Sequence, residues 1–86
     1  METDFKSYIE GLVRDVVKAG GTIAISERDG FIKLIFKNPF TIHLHAHGGG
    51  TPVEEITSIN EDFIHIQLAN KSMAVPLKLL AVELWT

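Results

Sequence analysis

Cysteine is absent from this 86-residue chain. That excludes disulfides, thiolate metal centres and cysteine nucleophiles together. No apolar run approaches the roughly 20 residues of a membrane-spanning helix. The acidic start Met1-Glu2-Thr3-Asp4 leads into no apolar stretch of the signal-peptide kind. A cytoplasmic protein that does not enter membranes is therefore expected. A basic excess is missing too: 8 Lys and Arg stand against 11 Asp and Glu, for a formal charge of −3. Nucleic-acid binders are usually basic, so any binding of that kind must rest on a local patch or on base stacking. Ser7, Ser26, Ser58 and Ser72 lie in no nucleophile elbow, and no Gly-x-x-x-x-Gly-Lys phosphate loop occurs. The chain is not expected to be an enzyme.

What is present is apolar. Hydrophobic residues make up 45% of the chain, a high load for a domain too small to bury most of its surface. With no disulfide to help, oligomerisation is the expected source of extra stability. The length suits a single domain, 1–86. Phe5, Tyr8, Ile9, Leu12, Val13, Val16 and Val17 repeat at helical spacing, which predicts an amphipathic helix over 3–19. Thr3 or Asp4 caps its start, Glu10 and Arg14 form an i, i+4 pair, and Gly20-Gly21 ends it.

From Gly21 onward the period falls to 2. Thr22–Ser26 and Phe31–Phe36 read as a hairpin around the turn signal Asp29-Gly30. Phe40–His47, Val53–Ile59, Phe63–Leu68, Lys71–Leu77 and Ala81–Trp85 follow as short strands, with turns at Asn60-Glu61-Asp62 and Asn70-Lys71. The expected class is mainly β, antiparallel, with one N-terminal helix and a small barrel or sandwich over 22–85.

The sharpest local motif is His43-Leu44-His45-Ala46-His47, followed by Gly48, Gly49 and Gly50. On a strand these imidazoles share one face at about 7 Å between neighbours. Two of them could hold a divalent transition metal, with a carboxylate or a fourth histidine from elsewhere, His65 being a candidate, completing the shell. A solvated face or a subunit contact accounts for the same three histidines. The string is similar to the signature of histidine-triad nucleotide hydrolases and to the first metal motif of metallo-β-lactamase-type hydrolases. The first fold is longer and places its motif near its end; the second is more than twice this length. A hydrolase using His43, His45 and His47 is the enzymatic alternative, and no cofactor is the leading expectation.

The stretch Val53-Glu54-Glu55-Ile56-Thr57-Ser58-Ile59-Asn60-Glu61-Asp62-Phe63-Ile64-His65-Ile66-Gln67-Leu68 resembles the second and third strands of Sm/LSm and Hfq-like proteins. Lys71-Ser72-Met73-Ala74-Val75-Pro76-Leu77 and then Lys78-Leu79-Leu80-Ala81-Val82-Glu83-Leu84 resemble the fourth strand, one-turn connection and fifth strand. The resemblance covers residues 40–85 plus the helix. It implies a strongly bent, five-stranded antiparallel open barrel, to which the 22–37 hairpin is extra unless the strands are allotted differently. It also implies a cyclic ring of about five to seven identical subunits, joined edge to edge by their last strands. Single-stranded RNA would then bind through Asn60, Asp62 and Phe63, a polar base reader beside a stacking aromatic. Phe63 suits a core position equally well. The apolar Val75-Pro76-Leu77 stands where the family carries basic residues. A ring that serves as a structural or protein-interaction scaffold, without RNA, is the alternative on the same fold.

Overall fold

The computed structural model describes residues 4–28, 30–39 and 50–85. Helix α1 spans Phe5–Ala19. Asp4 is its N-cap: the carboxylate accepts from the Lys6 amide at 3.0 Å and from Ser7 Oγ at 3.1 Å. Gly20 closes it in the left-handed region, φ 83°, where glycine carries no Cβ penalty. Glu10 pairs back to Lys6 at 3.4 Å rather than forward to Arg14, and Arg14 reaches Asp15 at 3.6 Å instead.

Seven strands follow among the described residues: β1 (Thr22–Arg28), β2 (Phe31–Lys37), β3 (Thr51–Pro52), β4 (Glu55–Ile59), β5 (Phe63–Gln67), β6 (Ser72–Pro76) and β7 (Leu80–Trp85). A 3-10 turn, Leu77–Leu79, joins the last two. The strand expected at Phe40–His47 lies outside the described residues. The fold is therefore mainly β with one N-terminal helix, arranged as two sheets, β3-β1-β2-β7 and β4-β5-β6. Among the described residues the two do not close into a barrel.

β1 and β2 form the expected hairpin, paired from Thr22↔Lys37 to Arg28↔Phe31. β7 then lies parallel to β2, from Ile32↔Leu80 to Lys37↔Trp85. This departs from the all-antiparallel expectation. Parallel neighbours need a long crossover, and here the whole second sheet supplies it.

The segment 51–59 belongs to both sheets. Val53 donates its amide to Ile23 O at 2.8 Å, and the next residue, Glu54, donates to Gln67 O at 2.9 Å. One bent stretch thus leaves β1 and joins β5, with a register irregularity between Ile56 and Ser58. The sheets enclose a core of Ile23, Ile25, Leu34, Phe36, Ile64, Ile66, Leu68, Val75 and Leu77, and Ile9 of α1 is fully buried against it. Leu12, Val13 and Val16 pack on the same cluster. The apolar helix stripe is thereby explained, except for Phe5, Tyr8 and Val17, which remain exposed.

The outer face of β2 and β7 carries a polar chain. Lys33 Nζ donates to Glu83 Oε1 at 2.9 Å, Trp85 Nε1 donates to Glu83 Oε2, and the Lys37 ammonium lies 4.7 Å from the centre of the Trp85 ring. The Lys33 hydrogen bond first, and the Trp85 one second, hold the Glu83 carboxyl below its ordinary value of 4.5. A lowered carboxyl binds protons less readily in the folded chain than in the unfolded one. Its stabilisation is complete above the ordinary value and is lost as pH falls through the folded value. Exposure of both partners keeps the effect modest. Acid titration of unfolding free energy is expected to fall less steeply below about pH 4.5 in Glu83→Gln than in the parent chain. Identical acid limbs would show that Glu83 contributes nothing.

Candidate functional site

The turn from β4 to β5 is built by Asn60. Its amide donates to Phe63 O at 2.9 Å. Its side-chain Oδ1 accepts from the amides of Asp62, at 2.9 Å, and Phe63, at 2.7 Å. This is the short-range bonding by which Asn stabilises turns, and each bond contributes about 0.5–1.5 kcal/mol net. The Asn60 carbonyl is thus engaged by its own backbone, which leaves the side-chain NH2 as the group available to read a base.

Phe63 begins β5 and is 41% exposed. The alternation of the strand explains it: Ile64, Ile66 and Leu68 point into the core, so Phe63, His65 and Gln67 point out. Phe63 is therefore not a core residue. Its ring lies 6.5 Å from the His65 ring, at 50°. Asp62 is exposed, and its carbonyl accepts from the Leu77 amide at 2.9 Å. That bond draws the 3-10 turn against the β4–β5 turn and makes a cleft of about 360 Å3. Glu61, Asp62 and Phe63 form one wall, with Pro76, Leu77 and Lys78 opposite. A second cleft, of about 430 Å3, shares Glu61, Leu77 and Lys78 and extends to Asp4, Phe5 and Lys6 at the start of α1. Phe5, which lines this second cleft, is partly exposed, as is Tyr8, whose ring lies 6.1 Å from it.

The three residues picked out from the sequence thus share one turn, and Asp62 and Phe63 line the first cleft while Asn60 lines neither. The opposite wall and the helix start have no signature in sequence, because they reach the turn only through packing. Charge at the first cleft is mixed: the carboxylates of Glu61 and Asp62 outnumber the ammonium of Lys78. An exposed ring supplies sequence-tolerant stacking for a single-stranded base, whereas two carboxylates repel its phosphates.

His43, His45 and His47 lie outside the described residues. His65 sits mid-strand on β5, opposite Ser58 and Ala74, half-buried, and its carbonyl accepts from Thr57 Oγ1 at 3.2 Å. Among the described residues no three His, Asp or Glu side chains are grouped to hold a metal ion. No helix among them is long and apolar enough to cross a membrane. Compared with known proteins, the chain matches no family model, no curated protein and no solved structure.

Proposed function

We propose that this chain is an Sm-like self-assembling module, joined into a ring by its last two strands, and that single-stranded RNA stacks on Phe63. In this reading β1, the bent pair β3–β4, β5, β6 and β7 are the five barrel strands. β2 is an added strand standing between β1 and β7. The bent segment 51–59, shared between sheets, supports the assignment, as does the return of β7 to the first sheet after one 3-10 turn.

The observation that carries the assembly is the pair of open edges. Among the described residues β6 and β7 each end a sheet, and three residues separate them. Leu79 and Leu84 are 43% and 48% exposed beside them. Open edges of this length invite pairing with another chain. Docking β6 of one subunit on β7 of the next would cover both edges and close a ring of about five to seven subunits.

Native mass spectrometry tests the ring, and fluorescence titration with oligo-U and oligo-A at low and high salt tests the ligand. A closed oligomer is expected, with RNA binding that strengthens at low salt and weakens about tenfold or more in Phe63→Ala, in line with stacking worth about 1–3 kcal/mol per base. A stable monomer would overturn the assembly. The carboxylates of Glu61 and Asp62 favour the second reading, a ring that scaffolds proteins without RNA. An oligomer that ignores both oligonucleotides at low salt would establish the second reading over the first.

A further inference from the structure

β4 ends the second sheet, and among the described residues no strand pairs with its far edge. Alternate backbone N–H and C=O groups along Glu55–Ile59 therefore point away from β5, with no strand among the described residues to receive them. A groove of about 400 Å3 runs beside this segment, between α1 and the bent strand. Val13 and Val17 of the helix form one side; Val53 and Ile56 lie across from them. Val17 is 63% exposed, although it belongs to the apolar stripe of the helix. The charged side chains that line the groove are Glu54 and Glu55, with no lysine or arginine among the described lining residues.

We propose that this groove and the β4 edge bind an extended peptide from another protein, alternately apolar and basic, as a strand added to the second sheet. Strand addition takes its affinity from backbone hydrogen bonds and its specificity from pockets for alternate side chains. An aliphatic residue of the peptide would lie between Val17 and Ile56. The lysines or arginines flanking it would meet Glu54 and Glu55. The two carboxylates disfavour a nucleic-acid occupant, since phosphates would face them with no cation between. The chain's own Phe31–Lys37, which carries Lys33 and Lys37 among apolar residues, already lies inside the first sheet and is not the occupant. The proposal uses a different edge from the β6–β7 contact, so it stands or falls separately from the ring.

The test uses the full chain and two labelled hexapeptides, Lys-Val-Lys-Val-Arg-Val and Glu-Val-Glu-Val-Glu-Val. Fluorescence anisotropy is expected to show saturable binding of the basic peptide and none of the acidic one. Val17→Glu removes an apolar contact at a solvent-exposed site, so folding is expected to survive it, as far-UV circular dichroism would confirm. Affinity for the basic peptide should fall about tenfold in that variant, and reversing both carboxylates (Glu54→Lys with Glu55→Lys) should turn the preference toward the acidic peptide. Amide exchange along Glu55–Ile59 should slow on binding. Failure of the basic peptide to saturate, equal binding of both peptides, indifference to these substitutions or unchanged exchange along β4 would each overturn the proposal.

Discussion

Phe36→Ala is expected to lower the unfolding free energy by about 3–5 kcal/mol. Phe36 is 1% exposed and lies on β2, an interior strand of the first sheet, opposite Ile23 on one side and Leu84 on the other. Truncation removes a ring from the contact between the sheets and leaves a cavity that rigid strand backbones cannot collapse around. Domains hold about 0.05–0.15 kcal/mol of stability per residue, or about 4–13 kcal/mol for 86 residues, so the loss is a large fraction of the total. Phe31 supplies the control. It lies on the same strand but is 66% exposed, and Phe31→Ala should change stability by no more than about 0.5 kcal/mol. Urea unfolding followed by far-UV circular dichroism measures both. The protomer concentration must be held equal, because assembly would add to apparent stability. A cost below about 1 kcal/mol for Phe36→Ala would contradict its place in the core.

The second large effect concerns a residue with no side chain. Gly21 links the helix to β1, and a Cβ there would sit 2.3 Å from Lys37 O, 2.9 Å from Val16 Cγ1 and 3.3 Å from Asn38 Cα. The nearest obstacle is backbone at the end of β2, which cannot rotate aside. Gly21→Ala must therefore separate the helix from the hairpin, at a cost of about 1–3 kcal/mol. Two other glycines show that space, rather than the residue type, decides this. Gly20 has nothing within 4 Å of such a Cβ but sits at φ 83°, so Gly20→Ala should cost about 1–2 kcal/mol from backbone strain instead. Gly11 lies within α1, where its nearest neighbour is the end of the Arg14 side chain at 3.6 Å. Gly11→Ala should stabilise by about 0.5–1 kcal/mol. Thermal melts of the three variants measure the series. A melting temperature for Gly21→Ala equal to that of the parent would refute the close packing.

The candidate site was partly legible in advance. Asn60 in a turn and a phenylalanine opening the next strand are local features, and local bonding makes the turn: the Asn60 carbonyl reaches only two and three residues along. The same bonding reduces what Asn60 can offer a ligand, which no reading of residue types foresees. The wall formed by Pro76, Leu77 and Lys78 was not legible, because the bond that holds it joins Leu77 to Asp62, far along the chain. The groove under Val17 was hidden for a related reason. The helical stripe marks seven apolar positions as equivalent, and only packing separates Ile9, which is fully buried, from Val17, which is not.

By itself the sequence determined what depends on neighbours a few residues apart: the helix, its end at Gly20-Gly21 and the β1–β2 hairpin, while the choice of Asp4 over Thr3 as cap and the outward face of Phe63 came from the structure. The tertiary structure decided the rest: the parallel seating of β7 on β2, the bend that carries 51–59 between sheets, and the edges that stand open among the described residues at β4, β6 and β7. The division has a physical cause. Turn chemistry and side-chain period act through bonds within a few residues. Strand order is chosen by the burial of apolar faces from distant segments, and many pairings of the same short apolar strands satisfy the same local pattern.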